Sequence, residues 1–173
     1  MTASDIMNSK DFKKCEAFHS HVCPGLSIGF QAARTALDRL REGRAEDEEM
    51  VAVAETDACS TDAIQVLTGF TFGNGNFIYK DHGKIVLTFF SRNTCKGIRV
   101  DLKPDAFRPD EEHMSLIQKM IAGDAAEQEQ QRFQQIHFER SYDILETPAE
   151  ELFKITDVEM DLPPKARIEP SRP

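Results

Sequence analysis

Residues 18–40, "FHSHVCPGLSIGFQAARTALDRL", change character at a proline. Before Pro24 stand His19, His21 and Cys23 at alternate positions; after it comes an apolar repeat. A proline disfavours the α region for the residue before it, so Cys23 is expected in extended backbone. Successive side chains of an extended segment alternate in direction, which would turn His19, His21 and Cys23 to one side. A helical backbone would put only His19 and Cys23 on a shared face. Pro24 itself suits the first position of a helix. Leu26, Phe30, Ala33, Leu37 and Leu40 then recur at intervals of four, three, four and three, one apolar stripe of a helix over 24–41. Cys23 therefore stands at a helix N-terminus, where free N–H groups and the helix dipole stabilise a thiolate. Gly29 inside this helix costs about 1 kcal/mol relative to alanine. Close approach of another backbone or of a ligand would explain its presence.

Upstream, a helix over 4–18, starting near Ser4 or Asp5, puts Phe12, Cys15 and Phe18 on one buried face and makes Cys15 core filler. Downstream, "REGRAEDEE" (41–49) reads as a charged, solvated connection and "MVAVAET" (50–56) as a buried strand. "DACSTD" turns the chain into a helix over 61–69, capped by Ser60 or Thr61 and closed by Gly69. Cys59 thus lies between a strand end and a helix start, the environment of Cys23 repeated. Two thiols so placed point to one site rather than to two accidents.

"FGNGN" (72–76) is a turn, too short and wrongly spaced for a phosphate loop. "FIYK" and "KIVLTFF" flank "DHG" (81–83) and read as a hairpin, with His82 and Lys80 at its turn. "GIRVDL" (97–102) is a further strand. Cys95, between Arg92 and Lys96, reads as an incidental turn thiol. After Pro104 come helices over 110–122 and 124–146, broken by Gly123, with Phe133, Ile136, Arg140 and Ile144 as a thin stripe. His113 and His137 read as surface or helix-face residues. Thr147, Pro148 and Glu150 suggest a capping box before a last strand in "LFKITDVEM". The expected fold is α+β, a mixed sheet packed against helices around an α-β-α-β-β-β core with extra C-terminal helices. It is expected as one domain over 1–160, its helical segment of about 105–146 inserted before the last strand, with an extended proline-rich tail over 161–173.

Composition narrows the function. With 173 residues, 40% hydrophobic and 29% charged, the chain has an ordinary globular make-up. Its net charge of -9 argues against nucleic acid as a partner, because phosphate binding needs a basic patch. No apolar run reaches the length of a membrane span, and "MTASDIMNSKDFKK" has no signal-peptide pattern, so a cytoplasmic location is expected. The four cysteines, at 15, 23, 59 and 95, are well separated and form no CxxC, which suits ligands, nucleophiles or core filler better than disulfides.

"FHSHVCPGLSIGFQAA", "ETDACSTDAIQVLTGFTFGNGN" and "KDHGK", in that order, resemble the FmdE family: the FmdE component of formylmethanofuran dehydrogenase and its stand-alone relatives. The resemblance covers about residues 10–160. It implies a mixed sheet packed against helices, a homodimer and a bound transition metal, usually zinc. The positions it implies for the metal are His19, His21, Cys23 and Cys59, with Asp57 and Asp62 nearby. The complex that names the family reduces carbon dioxide onto methanofuran, with redox cofactors on its other components. Many relatives carry a C-terminal cysteine-rich zinc ribbon. This chain reads "PPKARIEPSRP" there, without CxxC, so that module is expected to be absent.

Cysteine and histidine are typical zinc ligands, and four of them would close a tetrahedral site, whereas three plus water would leave an open position. Nickel, cobalt or iron would accept the same donors. Three functions follow. One is a metal-dependent protein acting on, or binding, a small molecule in one-carbon chemistry. The second is an accessory subunit with a structural metal, working beside oxidoreductase partner subunits. The third is a thiol enzyme with Cys59 as nucleophile and His19 or His21 as base, where Asp57 is a further catalytic candidate. Asp57 and Asp62 could alternatively orient a histidine from behind.

Overall fold

A computed structural model describes residues 2–40 and 50–159. The tail expected over 161–173 and the charged connection at 41–49 lie outside the described residues. The segment expected as one helix over 4–18 is two: α1 (Ala3–Met7) and α2 (Lys10–His19). Thr2 caps the first, and the Ser9 hydroxyl accepts a hydrogen bond from Phe12 N at 3.2 Å to start the second. A second cap so soon after the first leaves no room for one continuous helix. Phe12 and Cys15 are buried as expected, but Phe18 is 60% exposed, a correction to the face assigned to it.

The helix that begins at Pro24 is α3 (Pro24–Leu40). The Cys23 sulfur accepts a hydrogen bond from Leu26 N at 3.4 Å and so takes the place of a capping hydroxyl. Next come β1 (Met50–Ala54), α4 (Ser60–Thr68), β2 (Phe77–Tyr79), β3 (Val86–Ser91) and β4 (Lys96–Leu102). Neither Ser60 nor Thr61 caps α4. Cys59 occupies the cap position, the Thr61 hydroxyl donates to Ala58 O, and the buried Ser60 hydroxyl has no partner among the described residues. Three helices, α5 (Glu111–Ala122), α6 (Glu127–Glu146) and α7 (Ala149–Leu152), precede β5 (Phe153–Glu159). The capping box expected at Thr147 does not form. The Thr147 hydroxyl instead donates back to Asp143 O at 2.7 Å and closes α6, and α7 lacks a side-chain cap.

The five strands make one mixed sheet in the order β2-β1-β3-β4-β5. The β1–β2 pair is parallel; the other three are antiparallel. This bears out the α+β class and corrects one detail: β2 and β3 do not form a hairpin, because β1 lies between them. Every residue of β1 is buried, so both of its edges gain from a neighbour. Ala52 and Ala54 of β1 face Ile28, Ala32, Ala33 and Ala36 of α3, with Phe89 and Ile98 from β3 and β4 in the same cluster. The small residues on both sides let α3 sit close to the sheet.

Helix α3 also crosses α4, and Gly29 marks the crossing. A Cβ on Gly29 would lie 2.1 Å from Ser60 O, so the glycine serves backbone approach. Gly25, one turn earlier, has the same role: its Cβ would fall 2.9 Å from Cys59 Cβ. These two contacts bring the N-termini of α3 and α4, and hence Cys23 and Cys59, to the same place.

Candidate metal centre

Three helix ends meet at the site. α2 ends on His19, α3 starts after Cys23, and α4 starts after Cys59. Between the first two, Ser20 adopts the left-handed conformation (φ 75°) and reverses the chain. The segment is therefore not extended from His19 onward. His19 is helical, and the reversal at Ser20, not strand alternation, turns His19, His21 and Cys23 toward one another. Each offers a ligand atom, and these atoms lie within 4.8 Å of one another. The His19 and His21 rings stand 4.4 Å apart between centroids.

His19 is held from behind. Its Nδ1 is 2.7 Å from Asp62 Oδ2, and its Nε2 is 3.6 Å from Cys23 Sγ. A carboxylate on one ring nitrogen fixes the tautomer and turns the other nitrogen's lone pair outward, the usual arrangement behind a metal-ligating histidine. Asp62 sits in the first turn of α4, so the helix that supplies Cys59 also orients His19.

The two thiols share a hydrogen bond, and their acidities split. That bond, with burial, pushes the Cys23 thiol up. The same bond pulls Cys59 down to about 5, and the nearby His19 adds to this against the opposing effect of burial. Cys59 is thus the more acidic thiol of the pair. Cys59 touches Cys23 and His19, but the mutually close trio is His19, His21 and Cys23. The donor set of two imidazoles and two sulfurs fits a borderline-soft cation.

The other candidates lie elsewhere. Asp57 is exposed in the loop before Cys59 and bears on Tyr79 rather than on the histidines. His82 and Lys80 are exposed in the loop after β2, whose backbone hangs on the end of β1: Lys80 N donates to Ala54 O, and His82 N and Lys84 N to Glu55 O. Cys95 is exposed in its turn, and Cys15 is buried with its thiol pushed up to about 12 by burial.

Sequence reasoning missed the place of His137 and misplaced His113. His113 is buried, not on the surface, and packs 5.1 Å from His137 between ring centroids. Burial pulls His137 down to about 4, with the neighbouring His113 and His21 adding to it. His137, on α6, packs on Phe133 and His113 and lies within electrostatic reach of His21. The only sequence sign was its place next to Ile136 on the flank of the apolar stripe.

Residues 18–154 match the family model FmdE, described as molybdenum formylmethanofuran dehydrogenase operon. A "probable S-adenosyl-L-methionine-binding protein" of Archaeoglobus fulgidus is 34% identical over 156 residues, covering 85% of this chain and 42% of the relative. The chain therefore spans less than half the length of that curated relative. Among solved structures, an FmdE-like protein of the tungsten formylmethanofuran dehydrogenase type from Syntrophus aciditrophicus matches with a TM-score of 0.57 and 26% identity. That match covers 91% of this chain and 72% of the other.

Proposed function

The chain belongs to the FmdE family, and from that premise we propose that it binds one transition metal through His19, His21 and Cys23, with Cys59 as fourth donor. The bound metal serves a small molecule of one-carbon, formylmethanofuran-type metabolism. One observation carries this reading: the three mutually close donors, with His19 turned toward the sulfur by Asp62. Zinc is the first expectation for such a set, and nickel, cobalt and iron are compatible.

Held by the His19, His21 and Cys23 trio alone, the metal would supply Lewis-acid chemistry at a fourth position open to substrate; with Cys59 bound as well, that position would be closed. The chain's own residues prepare for it. Asp62 holds the Nδ1 proton of His19. Cys59, the more acidic of the two thiols, brings the second sulfur. Cys23 must give up its proton to ligate, so metal uptake releases a proton and strengthens as pH rises. His21 is the exposed member of the trio and marks the side open to solvent. The A. fulgidus relative's name makes S-adenosyl-L-methionine one small molecule to test here. A homodimer, oxidoreductase partner subunits and a cytoplasmic setting belong to the same proposal. The family's operon description supports the partner subunits and the four free thiols the cytoplasmic setting, while the homodimer rests on the family resemblance alone. Among the described residues no helix is long and apolar enough to cross a membrane.

Plasma mass spectrometry of the purified protein tests the site. Wild type is expected to carry about one metal per chain, and Cys23→Ser and Cys59→Ser to lose it while keeping their circular dichroism. Metal-free wild type after zinc loading would sink the reading. The lowered Cys59 pKa also favours a second reading, Cys59 as nucleophile beside His19. Iodoacetamide labelling of metal-free protein near pH 6 separates the two. Rapid, selective modification of Cys59 with no metal uptake would favour the thiol enzyme.

A further inference from the structure

A cavity of about 430 Å³ opens where α1, α2, α3 and α4 meet, away from the metal centre. Small-molecule sites run from roughly 300 to 1,000 Å³, so it is large enough for an organic ligand. Its floor is apolar: Ile6, Phe30, Leu37, Val66 and Leu67. Its wall carries two cations, Lys14 and Arg34, and one acid, Asp11. Asp11 is committed to Lys14, 3.2 Å away. Arg34 has no carboxylate within ion-pair distance among the described residues. It is held over the Phe30 ring instead, 5.9 Å from the centroid. In a chain of net charge -9, this lining has a surplus cation.

We propose that this cavity binds a small organic anion, its apolar body against the half-buried Leu37, Val66 and Leu67 and one carboxylate, sulfonate or phosphate on Arg34. Each half of the ligand has a reason. The apolar floor gains by losing water. The Arg34 guanidinium, already placed by the ring beneath it, offers a planar fork of donors to an oxyanion. None of His19, His21, Cys23 or Cys59 lines the cavity. Arg34 follows Cys23 by eleven residues of helix, about 16 Å along α3. The site is therefore separate from the metal centre and does not rest on the metal reading.

The probes are 2-naphthoate and its neutral counterpart 2-naphthalenemethanol, titrated calorimetrically into the full chain. Wild type is expected to bind the carboxylate at least about ten-fold more tightly than the alcohol. Arg34→Gln should erase that preference, and Arg34→Lys should restore much of it. Cys23→Ser should leave it unchanged. Equal affinity for the two probes, no binding at millimolar concentration, or a preference that survives Arg34→Gln would overturn the proposal. So would loss of the preference in a folded Cys23→Ser protein, because the anion would then belong to the metal centre. A chain that binds no metal yet prefers naphthoate through Arg34 would overturn the metal reading and leave this one standing.

Discussion

At the scale of single residues, the site is built by side chains that hold one another in place, even where they reach solvent, as His21 does. Asp62 shows this. It is 30% exposed, and it reaches the trio through its bond to His19 Nδ1. Asp62→Asn keeps the shape and removes the charge that fixes the imidazole. Metal affinity is expected to fall roughly 10- to 100-fold with little change in folding stability. Competition against a chromophoric chelator measures the first, and urea unfolding of metal-free protein the second. An unchanged affinity would show that His19 is not a ligand. Gly29 gives the opposite kind of test. Its missing Cβ faces the Ser60 carbonyl, which is backbone and cannot swing aside. Gly29→Ala is expected to cost on the order of 1–3 kcal/mol, although alanine is the better helix former. Stabilisation in urea would mean that α3 and α4 do not cross as closely as described. The glycine was legible in the sequence as an anomaly in a helix. The carbonyl it faces was not, because that contact spans thirty-one positions of chain.

At the scale of elements, the sequence marked where helices and strands lie far better than which ones touch. The stripe from Leu26 to Leu40 located α3, and the short apolar runs located β1, β3 and β4. Partnership is another matter. "FIYK", "DHG" and "KIVLTFF" carry the local pattern of a hairpin, yet β2 and β3 each pair with β1 from opposite sides. The connecting loop is pinned to the end of β1 by bonds to Ala54 O and Glu55 O, contacts that no short window of sequence contains. The same distance problem hid the closing of α6. The Gln31 side-chain amide on α3 donates to the carbonyls of Ile144, Leu145 and Thr147 at 3.1–3.3 Å, satisfying the otherwise open end of α6. Gln31→Leu leaves those carbonyls without this donor in a half-buried place. It is expected to cost about 1–3 kcal/mol, with faster amide hydrogen exchange in the last turn of α6. Exchange spread evenly over the molecule would show that Gln31 serves general packing, not the end of that helix.

At the scale of the whole molecule, acidity links the helical layer to stability. His113 is buried in α5 against Phe133 and His137, and neither ring nitrogen has a hydrogen-bond partner among the described residues. Burial, then the nearby Arg140, pulls its pKa below the usual histidine value, against a weaker pull from Asp110. The fold therefore holds His113 neutral. The unfolded chain takes up a proton on this ring near pH 6.5, while the folded chain resists until a lower pH. Below pH 6.5 the unfolded state binds more protons, so the stability that neutral His113 contributes above that value is lost as pH falls. Glu55 adds a second loss at lower pH. Its hydrogen bond with Arg99 joins the loop after β1 to β4 and holds its carboxyl below the usual range, so its contribution disappears as the unfolded carboxylates protonate. His137, pulled down to about 4, adds its own loss over the same interval as His113, and these histidine losses separate from that of Glu55 on the pH axis. His113→Leu replaces an unpartnered polar ring by an apolar side chain at a buried position and removes the His113 share of the first loss, leaving the part due to the burial of His137. The urea midpoint of wild type is expected to fall between pH 7 and pH 5. That of His113→Leu should stay flatter over the same interval, and both should fall together below pH 5. Parallel curves from pH 7 to pH 5 would mean that His113 is charged in the folded chain. Its burial beside His137 would then require a counter-ion that neither Asp110 nor any other described group supplies at hydrogen-bond distance from its ring.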